Sequence, residues 1–232
     1  MSDRDAVGEF LDKWRARWPE WGVAEVFVPR GQREPVLAWM TLVQELTDAA
    51  WGGSDPRPGE AKLGWWIEEL QGWARGIRRH PLGAVLQKFP VPWTQVAAAL
   101  PSLRDSRERP VDAGDALAQM RSFSEAVAAI ETGLFGGDEA GAPAVIAVNL
   151  LQLRIAHHPA EAAPLQVLAQ AGEGGALAEW VRQLARQATV DAGSRPRRVF
   201  AGLSRARLLR GTPADPVPAI AALWAAWRAA RG

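Results

Sequence analysis

Acidic side chains three or four positions apart on a helix share a face, where their carboxylate oxygens can meet one metal ion. Glu45 and Asp48 form such a pair, with the Thr41 hydroxyl on the same face. Taken alone, the two acids can hold one metal ion at most, or they can simply meet solvent on the polar side of an amphipathic helix. Arg154 is a second landmark. It interrupts the apolar run from Val145 to Ile155, and a buried cation must pair with an acid on a neighbouring helix or meet an anion. His80 precedes Pro81, where it can carry a proton near neutral pH or bond the last carbonyls of a helix. His157 and His158 are adjacent, so on a helix their rings point about 100° apart and do not suit one zinc ion. There is no cysteine, which removes disulfides, thiolate metal sites and a cysteine nucleophile together. No G-x-S-x-G, Walker A, H-E-x-x-H or Rossmann fingerprint is present.

The elements that must position these groups read as helices. The 232 residues include 43 alanines and 24 arginines but no tyrosine, and Ala, Leu, Arg, Glu and Gln are strong helix formers. Val36, Met40, Val43, Leu46 and Ala50 form one helical stripe, which carries Glu45 and Asp48 on its flank. A helix from Glu60 places Leu63, Trp66, Leu70, Trp73 and Ile77 inside, with Glu68, Glu69, Arg75, Arg78 and Arg79 mostly outside. Ala24 to Pro29 reads as extended. Further helices are expected at 82–88, 93–103, 115–134, 142–155, 176–190, 196–210 and 217–230. The 142–155 segment is apolar all round and therefore buried. The expectation is one all-α domain over residues 1–232, about nine or ten helices bundled around that central one.

Charge is unevenly spread. The chain carries a net +1, yet from Arg195 onward there are eight arginines and one acid, Asp215. Arg195, Arg197, Arg198, Arg205, Arg207 and Arg210 alternate with apolar residues, a pattern that fits a solvated face, a protein partner or an anionic membrane surface. Near-neutral overall charge argues against nucleic acid as a partner. No apolar run approaches the roughly 20 residues of a spanning helix. A cytoplasmic chain, peripheral to a membrane if it touches one, is the expectation.

The run Glu60-Ala61-Lys62-Leu63-Gly64-Trp65-Trp66-Ile67-Glu68-Glu69-Leu70, followed by His80-Pro81-Leu82, resembles the squalene/phytoene synthase family, with its K/R-L-x-W-W-x-E-E/A-L helix and following H-P. The resemblance covers residues 34–90 and implies an isoprenoid-synthase-like helical bundle. It also implies magnesium ions held by aspartates on two facing helices, where a prenyl diphosphate ionises and two prenyl chains join head to head. Glu45 and Asp48 would then be the metal ligands, with Lys62 and Arg154 on the phosphates, and Trp65, Trp66 and Trp73 either lining a prenyl tunnel or packing the core. The sequence departs from the family at both sites. The first motif is reduced to Glu45 and Asp48, and the run Asn149 to Pro159, where the second should lie, contains Arg154 but no carboxylate. The resemblance therefore implies a divergent member of isoprenoid biosynthesis with weak or no catalysis. Its alternative is a non-catalytic assembly or binding protein, since some members of the family act as assembly factors for a respiratory complex.

Overall fold

A computed structural model describes residues 3–231. The protein is all-α. Thirteen α-helices and two single 3-10 turns occupy the described residues, with one isolated bridge between Asp138 and Gly193 and no strand. The helices are α1 (Asp3–Arg17), α2 (Trp21–Ala24), α3 (Arg33–Trp51), α4 (Arg57–Trp73), α5 (Gly83–Leu86), α6 (Trp93–Asp105) and α7 (Ala113–Phe135). There follow α8 (Ala142–His157), α9 (Pro159–Ala162), α10 (Leu165–Ala171), α11 (Glu173–Gln187), α12 (Arg195–Leu209) and α13 (Ala219–Arg231). The count exceeds nine or ten because α2, α9 and α10 are one- or two-turn pieces too short to show a helical period.

Two helices, not one, run through the middle. As its composition implies, α8 is buried on nearly all sides, from Ala142 to Ile155. So is α3, whose polar Thr41, Gln44, Glu45 and Thr47 are buried along with its apolar stripe, because α1, α4, α5, α6 and α8 all pack against it. The Ala24–Pro29 stretch is a 3-10 turn over Glu25–Phe27, and only Val28 and Pro29 are extended. That break is local sterics, since the residue before a proline is driven out of the helical region.

Tryptophan dominates the core. Trp66 meets Trp73 edge to face at 6.4 Å, Trp73 meets Trp93 edge to face at 5.0 Å, and Trp39 lies 6.2 Å from Trp93. A buried indole N–H needs an acceptor. Trp39 donates to Glu131 at 2.8 Å, Trp51 to the Ser106 hydroxyl at 3.0 Å, and Trp73 to Glu69 at 2.8 Å. The polar side chains between the apolar stripes thus exist partly to serve the aromatic ones.

Glu69 corrects the expected pattern of α4. Its side chain is buried, three residues after Trp66 and four before Trp73, so it lies on the inner stripe. Ile77 is the reverse case: expected inside, it is 59% exposed. The helix ends at Trp73, and the chain turns at Gly76, whose φ of +80° an L side chain adopts only with strain.

Candidate functional site

The site that the sequence points to lies where α3 faces α8. Thr41 donates its hydroxyl back to the Leu37 carbonyl at 2.7 Å, within its own helix. One turn on, Glu45 accepts from Lys62 Nζ of α4 at 2.7 Å. Asp48 accepts from both Nη atoms of Arg17, at 2.6 and 2.9 Å, and its Oδ1 stands 3.0 Å from His157 Nε2 at the end of α8. Burial pushes the Asp48 carboxyl upward, but hydrogen bonds from His157 and Arg17 outweigh it and leave the group below its ordinary range.

Lys62 and Arg154 share no partner. Lys62 is spent on Glu45. Arg154 is almost fully buried and turned toward the α6–α7 connection, where Nη2 donates to the carbonyls of Arg107 and Glu108 at 3.1 and 2.6 Å and Nη1 reaches Gln119 at 3.5 Å. Its Nε has no hydrogen-bond partner among the described residues. Burial pulls this guanidinium down to about 10, with Glu161 and Asp115 acting in the opposite direction. Its partners are backbone carbonyls, so Arg154 fastens the end of α6 to α8.

The remaining polar groups of α8 are fastened to α12. Asn149 donates to the Ser204 hydroxyl at 2.9 Å, and Ser204 donates in turn to Gln152. Gln152 continues to the Pro213 carbonyl at 2.9 Å. Arg197 binds Glu131 of α7 through Nε at 2.9 Å and through Nη2, and also reaches Asn149 at 3.2 Å. On the far side Arg207 holds Glu20 with two bonds, at 2.6 and 2.8 Å, and its guanidinium lies 3.7 Å over the Trp18 ring.

What fills the space between α3 and α8 decides what it can hold. Met40, Val43 and Gln44 line it from α3, and Ile146, Asn149, Leu150 and Leu153 from α8. Trp14 and Trp18, together with Arg197 and Phe200, close it, and a void of about 20 Å³ remains. That is room for one water molecule. Larger openings lie outside: a groove of about 340 Å³ runs over Arg17, His157, Arg207 and Pro213 at the surface.

These residues do not fit a magnesium cluster. Glu45 and Asp48 are each neutralised by a cationic side chain, α8 presents amide and guanidinium groups where ligands would be required, and no cluster of three or more His, Asp or Glu suited to a metal occurs among the described residues.

The tryptophan signature has a different task. Glu69 Oε1 accepts from Trp73 Nε1 at 2.8 Å and from the backbone N–H groups of Arg79 and His80 at 2.7 and 2.8 Å, while Oε2 takes Arg79 Nε at 3.0 Å. Burial raises this carboxyl, and the bonds from His80, Arg79 and Trp73 more than reverse the effect. His80 is packed among Phe10, Trp65 and Trp66, with ring centroids 4.6, 5.9 and 4.6 Å away, and its Nδ1 accepts the Leu82 N–H at 3.2 Å. Desolvation lowers its pKa to about 4, against the pull of Glu45 and Glu69. Trp66 and Trp73 are core, and Trp65 is half-buried against the histidine and Arg79.

Of the six arginines singled out near the C-terminus, Arg197 and Arg207 are buried in ion pairs with Glu131 and Glu20. Arg198 donates to the Gly193 and Ala229 carbonyls and Arg205 to that of Ala188, while Arg195 and Arg210 are exposed. Sequence reasoning missed Glu20, Glu69 and Glu131. For two of them a signal existed: Glu131 falls four residues after Val127 on the inner stripe of α7, as Glu69 falls between Trp66 and Trp73. Glu20 follows Pro19 in a turn, where no period points inward.

Against family models and curated proteins alike, the chain finds no match.

Proposed function

We propose that this chain is a non-catalytic binding protein on a squalene/phytoene synthase-like bundle, related by descent to the prenyl-joining enzymes but without their diphosphate chemistry. One observation carries the reading: the void of about 20 Å³ between α3 and α8. Ligand pockets run to about 300–1,000 Å³, and neither a prenyl chain nor a diphosphate enters a space of one water molecule. The fate of the polar groups supports the same reading. Glu45, Asp48, Lys62 and Arg154 all hold the chain's own side chains or carbonyls, so each is a fastening between helices.

The W-W-x-E-E-L and H-P residues fit this account as well. Glu69 and His80 join the end of α4 to the following loop, which is a folding role that outlasts a lost reaction.

The test is incubation of the purified chain with farnesyl or geranylgeranyl diphosphate and magnesium, assayed for inorganic pyrophosphate. The expected result is no release above an Asp48→Ala control. Release well above that control overturns the proposal and restores the head-to-head prenyl-transfer reading, with Glu45 and Asp48 as its ligands.

A further inference from the structure

The last helix, α13, has two unlike faces. Ala222, Ala226 and Ala229 are buried. Gly202 of α12 permits close approach there, since a Cβ at that position would stand 2.9 Å from the Ala225 carbonyl oxygen. Away from this seam, Ile220, Leu223 and Trp224 are 84, 44 and 59% exposed. Trp227 continues the row, its ring stacked 4.9 Å from that of Trp224. Positions 220, 223, 224 and 227 are spaced as one helical stripe. Arg228 and Arg231 extend it, with the Arg231 guanidinium 4.6 Å from the Trp227 ring, and α13 contains no acid.

We propose that this stripe is a docking face for the surface of an anionic lipid bilayer. Charge selects the occupant. Arg195, Arg205, Arg210, Arg228 and Arg231 are exposed and make no ion pair among the described residues, and the same stretch holds a single acid, Asp215. Tryptophan beside arginine on one face of a helix is the composition of an interfacial segment, with apolar rings at the acyl boundary and guanidinium groups among the phosphates. No described helix is long and apolar enough to cross a membrane, so α13 would lie in the plane of the surface. A second copy of the chain is a poorer occupant. A two-fold contact brings the same patch to itself, and α13 offers arginines to arginines with no carboxylate to separate them.

This inference rests on the binding role proposed above and supplies its partner. The experiment is flotation of the full chain with vesicles of phosphatidylcholine alone or of phosphatidylcholine mixed with phosphatidylglycerol. The chain is expected to float with the mixed vesicles at low salt, to stay behind with the neutral ones, and to dissociate as salt rises. Trp224→Ser with Trp227→Ser should weaken binding about tenfold or more. Arg228→Gln and Arg231→Gln should each weaken it about fivefold. Trp224, Arg228 and Arg231 are exposed and Trp227 is half-buried, and circular dichroism verifies that the variants keep their helices. No flotation, equal flotation with both vesicles, or binding unchanged in the variants overturns the proposal, as does a dimer abolished by Trp224→Ser in a chain that ignores vesicles. The assay contains no diphosphate and the turnover assay no vesicles, so the two proposals fail separately.

Discussion

Asp48 on α3 and His157 at the end of α8 meet at 3.0 Å, Oδ1 to Nε2, and Arg17 of α1 completes the grip with two bonds to the same carboxylate. One acid thereby joins three helices. Asp48→Asn leaves Arg17 and His157 short of an anion and should cost about 1–3 kcal/mol at neutral pH. The carboxyl titrates below its ordinary value in the folded chain, so its stabilisation is present above about pH 3.8 and lost as pH falls through the lower folded value. Urea unfolding of the two proteins should show a gap at neutral pH that closes in acid below about pH 4.

Glu69 makes a second prediction, because its two oxygens do different work. Oε1 serves three N–H donors, from Trp73, Arg79 and His80, and Oε2 serves Arg79 Nε. Glutamine keeps the first set and loses the second, whereas alanine strands buried donors. Glu69→Gln should destabilise by about 1 kcal/mol and Glu69→Ala by about 3 kcal/mol, read from denaturation midpoints. Equal costs would place the stabilisation in the ion pair alone.

His80 sets a pH dependence in a different window. The folded chain holds it neutral down to about pH 4, while the unfolded chain protonates it below 6.5. The unfolded state therefore takes up the proton first, and stability declines as pH falls from 6.5 to about 4, by up to about 3 kcal/mol. His80→Asn keeps an acceptor for the Leu82 N–H but does not titrate. Its stability should fall less than that of the parent between pH 7 and about pH 4.5, with His158, also lowered by burial, contributing equally to both.

The helical class and the buried character of α8 were legible because composition and periodicity act locally. The full burial of α3 was not, since Thr41, Gln44, Glu45 and Thr47 look like a solvated face until the helices that cover them are in place. The same limit applies to Arg154. Its need for a partner follows from the apolar run around it, but the partner is a pair of carbonyls some 46 positions away in the chain, and no side-chain pattern announces a carbonyl. The charge excess near the C-terminus was visible as a count. Its division into interior Arg197 and Arg207 and exposed Arg195 and Arg210 depends on Glu131 and Glu20, which the fold brings from distant segments.

The most direct measurement is a calorimetric titration of farnesyl diphosphate into the purified chain with magnesium present, which asks whether the space between α3 and α8 accepts a ligand at all. With Trp14, Trp18 and Phe200 seated there, the account predicts no saturable heat. Saturable, magnesium-dependent binding that Asp48→Asn abolishes would contradict it.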